Sequence, residues 1–364
     1  MALSEQLLEW GSELESQPGT VADKLAEVCR RLQAGCDRFD WVGFYVADDA
    51  SQLLRLGPFA GEPTQHTRIP YGRGICGQVA ESGQTYVARD VREEANYIAC
   101  SLRVRSEIVV PILYQGRFVA QLDIDSHTPD AFDAGTLQTL EQLCRILAPL
   151  FRPRHVYVHG LSSSPQSKKG LVMADGLASR GHVLLRPDMN LPSFEQLTLT
   201  AQVEALERLA AELCGPLTLV GSSLGGLVSL IFASRHPEKV SRLLLVAPAF
   251  KVVGHRLASM AGTTLSEWQR QGHIEMVHYA DNRMHRLGYQ LVQDANGFDF
   301  ESLSPAMPTL IVHGTQDEVI PVDTVRAWAA RRNGVRLVEL PGGDHSLQTC
   351  FDLLWQESRE FLEE

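Results

Sequence analysis

The stretch LTLVGSSLGGLVSLIFASR, residues 217–235, governs the reading of the second half of the chain. Leu217 to Val220 form a compact apolar run. Gly221-Ser222-Ser223-Leu224-Gly225-Gly226 follows, after which Leu227, Leu230, Ile231 and Ala233 recur at helical spacing. Strand, sharp turn and helix around Gly-x-Ser-x-Gly is the setting in which a serine hydroxyl is held exposed on a strained turn. The flanking glycines are needed because such a turn leaves no room for side chains beside the serine. By itself the motif reads equally well as a glycine-rich turn with an idle serine.

The later chain separates the two readings. Thr309 to His313 reads as a strand whose following loop holds Asp317, and Arg336 to Leu340 as a strand whose following loop holds His345. An imidazole can take the proton of the Ser223 hydroxyl, while a carboxylate fixes the ring tautomer and stabilises its cation. Asp344 is a rival carboxylate, but it adjoins His345 in sequence and is expected to shape the turn. The backbone N–H groups of Leu161, beyond the strand His155 to His159, and of Leu224 are the natural pair for a developing oxyanion. His159 is expected to shape its loop. Lys168 and Lys169 are expected to begin a solvated helix, with steering of an anionic substrate as the alternative.

Working outward, compact apolar runs at 155–159, 182–185, 217–220, 242–246, 309–313 and 336–340 alternate with helical segments near 168–180, 197–214, 224–235 and 323–333. That alternation predicts a doubly wound, mostly parallel sheet. Residues 251–300 interrupt it with mostly polar, helical-looking sequence, as an inserted cap would. His159-Gly-Leu-Ser-Ser-Ser-Pro-Gln-Ser-Lys-Lys169, together with Gly221 to Gly226, resembles the small bacterial esterases of the α/β-hydrolase superfamily over about residues 154–364. The resemblance implies cleavage of a carboxylic ester by Ser223, His345 and Asp317.

Residues 1–151 differ in style. Ser4 to Leu14 and Val21 to Leu32 carry amphipathic spacing. Phe39 to Tyr45, Gln52 to Leu56, Ser106 to Leu113 and Phe118 to Ile124 read as strands, the last two joined as a hairpin at Tyr114-Gln115-Gly116, and 136–151 is a closing helix. Helices flanking an antiparallel sheet predict an α+β domain. Asp123 and Asp125 share one face of their strand, opposite Leu122 and Ile124, a pattern that usually marks a wet face. Cys29, Cys144, Cys214 and Cys350 read as small buried hydrophobes and Cys36 as a turn residue. Cys76, flanked by glycines at a helix start, is placed where orphan N–H groups favour a thiolate.

Trp41-Val-Gly-Phe-Tyr45, Leu56-Gly-Pro-Phe59, Gly72 to Gly77, Ile98-Ala-Cys100, Ser106 to Pro111 and Leu122 to Ser126 resemble the GAF-fold free methionine-(R)-sulfoxide reductases. The resemblance implies that Cys100 attacks the sulfoxide sulfur, that Cys76 is a resolving thiol, and that thioredoxin or another thiol reductant returns the disulfide to thiols. It further implies that Glu107, Asp123 and Asp125 hold the substrate ammonium and supply a proton, and that Trp41 and Tyr45 wall the methyl end. His66 stands where the family usually has a further cysteine, Ser101 follows Cys100 where an acid is usual, and Asn96-Tyr97 replaces a glycine-histidine pair. Recycling therefore rests on Cys76 or on an external thiol. GAF domains often pair, so the resemblance also implies a homodimer.

Composition bounds these readings. A chain of 364 residues is expected to form two domains. A formal net charge of -11 argues against nucleic acid or an anionic membrane as partner. No apolar run approaches a membrane span, and the N-terminus lacks the basic start of a signal peptide. Seven scattered cysteines without CxxC pairs suit a reducing, cytoplasmic setting rather than disulfides. Neither metal-ligand spacing nor a P-loop is present, so small-molecule substrates and no bound cofactor or metal are expected. Three functional readings remain: a fusion of reductase and esterase, a hydrolase regulated by a GAF module that binds a ligand or senses redox state without turnover, and a scaffold in which both sites are relics, against which the complete set of serine, aspartate and histidine argues.

Overall fold

A computed structural model describes residues 2–98, 101–250 and 253–363. The chain folds into two compact units, one of residues 1–153 with 174–184 and 363, the other of residues 154–173 with 185–362.

In the first unit, α1 (Ala2–Glu13) and α2 (Val21–Gly35) precede β1 (Trp41–Asp48), β2 (Leu53–Ala60) and β3 (Arg68–Pro70). Then come α3 (Gly74–Ser82), β4 (Tyr86–Ala88), β5 (Ser106–Tyr114), β6 (Arg117–Ser126) and α4 (Ala134–Leu147). The strands form one sheet in the order β3-β2-β1-β6-β5-β4, with antiparallel neighbours throughout. Thr20 caps α2 through a reciprocal box with Asp23, and Asp133 caps α4 through the Thr136 N–H. Each cap contributes about 1 kcal/mol by satisfying amides the helix cannot. The short strands β3 and β4 escape the sequence pattern because three residues are too few to show alternation.

One expectation fails here in an informative way. Asp123 and Asp125 are not on a wet face: both are buried, as is Glu107. Leu122 and Ile124 point to the other side of the sheet, while α3 packs on the acidic side and covers it. Cys29, Cys144 and Cys350 are buried as expected, but Cys214 is exposed, lying past the end of its helix.

From residue 154 onward the chain forms β7 (His155–Val158), α5 (Lys168–Ser179), β8 (Leu184–Leu185), α6 (Leu199–Glu212), β9 (Leu217–Ser222), α7 (Leu224–Arg235) and β10 (Val240–Val246). After it come α8 (His255–Met260), α9 (Leu265–Gln271), β11 (His273–His278), β12 (Arg283–Gly288) and α10 (Gln290–Ala295). The chain closes with β13 (Thr309–Gly314), α11 (Val322–Ala329), β14 (Val335–Leu340) and α12 (Phe351–Glu363). The main sheet runs β14-β13-β10-β9-β7-β8, and its central neighbours pair in parallel. Every residue of β7, β9 and β13 is buried, as expected where helices cover both faces. From Leu224 to Ala233, α7 is buried all round, which explains why it is apolar on every side.

The insertion is not simply helical. Between α9 and α10 it forms an antiparallel hairpin, β11 with β12, reversing through Asn282 at φ 55. Asparagine tolerates that left-handed conformation. The hairpin escapes a helical reading of the sequence because its strands carry polar residues on both faces. No described helix is long and apolar enough to cross a membrane.

Candidate functional site

Two constellations stand out. In the second unit, β9 delivers Ser223 to a turn at φ 52, ψ -118, a conformation costly for any residue with a side chain. Gly221 and Gly225 permit it. A Cβ on Gly221 would lie 2.6 Å from the Gly225 carbonyl oxygen, and one on Gly225 would lie 2.1 Å from that of Val158.

The Ser223 Oγ lies 3.0 Å from His345 Nε2, and His345 Nδ1 lies 2.8 Å from Asp317 Oδ2. The other Asp317 oxygen accepts the N–H groups of Val319 and Ile320 at 2.9 and 2.7 Å. Burial alone would raise this carboxyl, but the His345 hydrogen bond, the imidazole charge and the Ile320 amide outweigh it and hold it below the ordinary range. With Asp317 ionised, the Nδ1–H tautomer of His345 is favoured and Nε2 is left to accept the serine proton. Asp344 accepts the Leu347 N–H and the Ser346 hydroxyl and so shapes the turn, as expected.

The loop after β7 approaches from the other side, where a Cβ on Gly160 would stand 3.1 Å from Ser223 Cβ. Among the described residues, the N–H groups of Leu161 and Leu224 donate to no protein acceptor. His159 holds this loop in place: its Nε2 accepts the Met189 N–H at 2.9 Å, and its Nδ1 faces the Gly160 carbonyl at 2.9 Å. The cap hairpin is tied to the same loop through the Tyr279 N–H and the Ser162 carbonyl, 2.8 Å apart.

Lys168 is exposed, whereas Lys169 is half-buried. Its ammonium donates to the His345 carbonyl at 2.9 Å. Burial pushes it down to about 8, against the attraction of Asp317 and Asp344. Only the tertiary fold reveals this contact, since the two residues lie 176 apart. Lys169→Met is expected to slow cleavage of a neutral ester about tenfold, the effect of losing one charged hydrogen bond that anchors the histidine loop. Comparing neutral and anionic p-nitrophenyl esters checks this, because loss confined to the anionic ester would mean steering instead.

In the first unit, β1, β6 and β5 present three rungs on the face covered by α3. Trp41, Asp125 and Glu107 form the first rung, Gly43, Asp123 and Val109 the second, and Tyr45, Gln121 and Pro111 the third. Cys76, on the first turn of α3, places its Sγ 3.3 Å from Asp123 Oδ2 and 4.0 Å from Glu107 Oε1. Ligand-capable atoms of these three residues all lie within 4.8 Å of one another, close enough to share a proton or a cation. Burial, reinforced by Asp123, Asp125 and Glu94, holds Glu107 far above the ordinary carboxyl range. Burial, then Asp123 and Asp40, does the same to Asp125. Asp123 is raised by burial, partly offset by the Cys76 thiol, to about 7. Among the described residues no basic side chain pairs with these acids, so burial is not compensated.

Trp41 stacks on Phe59 at 5.7 Å and adjoins Tyr45 at 6.3 Å. The Tyr45 hydroxyl donates to the His66 carbonyl, so His66 supports the aromatic wall through its backbone. Asn96 pins the loop before Cys76 by accepting the Gly74 N–H and donating to the Gly72 carbonyl. Cys100, the expected nucleophile, lies outside the described residues.

Residues 154–361 match the family model described as "Uncharacterised protein family (UPF0227)", more than half of the chain, and residues 15–151 match that of the GAF domain. The chain belongs to the UPF0227 family. Its other half is a GAF domain. Over 133 residues this half is 37% identical to the free methionine-R-sulfoxide reductase of Escherichia coli (strain K12), spanning 35% of this chain and 76% of that protein. The first half thus belongs with the GAF-fold free methionine-R-sulfoxide reductases. The UPF0227 half is 24% identical over 212 residues to the mitochondrial palmitoyl-protein thioesterase ABHD10 of Homo sapiens, 55% of this chain and 69% of that one. Est1E from Butyrivibrio proteoclasticus with ferulic acid bound has a TM-score of 0.51 at 21% identity, covering 58% of this chain and 88% of that one. That likeness concerns the fold, which for the UPF0227 half is the α/β hydrolase.

Proposed function

We propose that the chain joins two activities: carboxylic ester hydrolysis by the second half, and thiol-dependent reduction of free methionine-(R)-sulfoxide by the first. The hydrolase reading is carried by the unbroken hydrogen-bonded line Ser223–His345–Asp317. His345 takes the hydroxyl proton as Oγ attacks the ester carbonyl, and the Leu161 and Leu224 amides stabilise the oxyanion. The imidazolium then protonates the leaving alcohol. Water, activated by the same imidazole, releases the acid and restores the serine. Release of p-nitrophenol from p-nitrophenyl acetate tests this half.

The reductase reading is supported by a thiol set against buried carboxyls that keep their protons near neutrality. A sulfoxide is a poor electrophile until its oxygen is protonated, so a carboxylic acid beside a thiol suits the chemistry. Attack by the Cys100 thiolate on the sulfoxide sulfur, with a proton delivered to the oxygen by Asp123 or Glu107, transfers that oxygen to Cys100 as a sulfenic acid and frees methionine. The Cys76 thiol displaces it as water, forming a disulfide, and thioredoxin or another dithiol reduces the disulfide. Overall one sulfoxide and two thiols give one thioether, one water and one disulfide. Turnover of free methionine-(R)-sulfoxide with dithiothreitol, then with thioredoxin, tests this half; binding without turnover would favour the GAF half as a sensor.

The acid role has a pH signature. The Asp123 proton is required, and its carboxyl is raised from an ordinary 3.8 to about 7. Sulfoxide turnover is therefore expected to fall as pH rises through about 7. The folded state also retains a proton that the unfolded chain has lost, so stability falls between about pH 4 and 7. Asp123→Asn is expected to flatten that decline in thermal unfolding while lowering turnover. An unchanged stability–pH curve in the variant would rule out this account of Asp123.

A further inference from the structure

Gln121 has no part in the chemistry derived so far, yet its position is costly. It is completely buried, and among the described residues neither its amide oxygen nor its amide nitrogen has a hydrogen-bond partner. Leaving such a group unsatisfied costs about 1–3 kcal/mol, and an apolar side chain of similar shape would avoid that cost. The strand register fixes its direction. Gln121 is two residues before Asp123 on β6, so the two share a face, and its cross-strand partners are Tyr45 and Pro111. The third rung of the site therefore sets an unpaired amide beside the aromatic wall. The two rungs before it carry the three carboxyls, and one oxygen each of Asp123 and Asp125 is likewise buried and unpartnered.

Residues two apart on a strand are separated by about 6.6–6.8 Å. With an ammonium at the Asp125–Glu107 rung, the sulfur of a methionine-sized ligand falls near Asp123 and Cys76. Its oxygen is then within reach of a side chain extending back from the third rung. A sulfoxide oxygen is a strong acceptor, whereas the thioether left after reduction accepts only weakly. An N–H placed there distinguishes substrate from product.

We infer that Gln121 is a substrate-binding residue whose amide N–H donates to the sulfoxide oxygen, so that this face of the sheet holds sulfoxide in preference to thioether. This rests on the reductase reading for the identity of the ligand. It makes two opposite demands on one residue: removing the amide relieves an unsatisfied buried group and at the same time weakens substrate binding.

The test uses the full chain with Gln121→Leu and the straight-chain Gln121→Met. Both are expected to melt at or above the temperature of the unaltered protein. Both are expected to lower kcat/KM for methionine-(R)-sulfoxide about 5- to 100-fold, while inhibition by methionine changes less than twofold. Calorimetric binding of the sulfoxide and of methionine supplies a readout independent of turnover. Equal kcat/KM in a folded variant, or equal loss of affinity for sulfoxide and thioether, would overturn the inference. So would failure of the unaltered protein to bind the sulfoxide. Binding that follows the expected pattern without any turnover would instead remove the reductase reading and leave Gln121 as a ligand contact.

Discussion

Ser223→Ala is expected to lower the rate of p-nitrophenyl acetate cleavage by about 10⁴- to 10⁶-fold, with His345→Ala falling within the same range. The magnitude follows from the geometry of the cluster. Ser223 Oγ, His345 and Asp317 are joined by bonds of 3.0 and 2.8 Å, so removing the serine or the imidazole leaves the other without a task. The double variant Ser223→Ala/His345→Ala is therefore expected to be no slower than either single one, because residues acting as a unit are not additive. Asp317→Asn should cost less than either. It keeps the shape of the site but loses the carboxylate that fixes the histidine tautomer. Circular dichroism of each variant checks that the fold is intact, and ester cleavage unchanged in Ser223→Ala would end the serine mechanism outright.

Cys100→Ser is expected to abolish sulfoxide turnover with any reductant, a loss of at least about 10³-fold, because a hydroxyl at neutral pH is a far weaker nucleophile toward sulfur than a thiolate. Cys76→Ser should behave differently. If Cys76 resolves the oxidised nucleophile, the variant retains turnover with dithiothreitol, which can reach the sulfenic acid itself, but loses turnover coupled to thioredoxin. Measuring both reductants on both variants separates the roles. Equal activity of Cys100→Ser and the unaltered chain would exclude this thiol as nucleophile.

The hydrolase cluster is legible because its parts are local signatures. Gly221 and Gly225 announce a turn too tight for side chains, and Asp317 and His345 each follow a recognisable apolar strand. The acidic face of the first half is harder to read. Alternation in Leu122-Asp123-Ile124-Asp125 shows that the two carboxyls share a side, but not whether that side meets water. It is covered by α3, an element brought there by folding and invisible to strand periodicity. The cap hairpin escapes because two strands with polar residues on both faces have no period to detect. Lys169 and Gln121 escape because nothing in their immediate neighbours marks a contact 176 residues away or an amide without a partner.

From residue order alone came the two-part organisation, the fold class of each part, and a serine, aspartate and histidine in the sequence expected of a hydrolase. These depend on periodicity and turn chemistry, which act over a few residues. Tertiary structure alone decided which polar groups give up water: the carboxyls around Cys76, raised by burial, the lysine half-buried against the His345 carbonyl, and the unsatisfied amide of Gln121. Desolvation depends on what the rest of the chain packs over a group, and no short stretch of sequence carries that information.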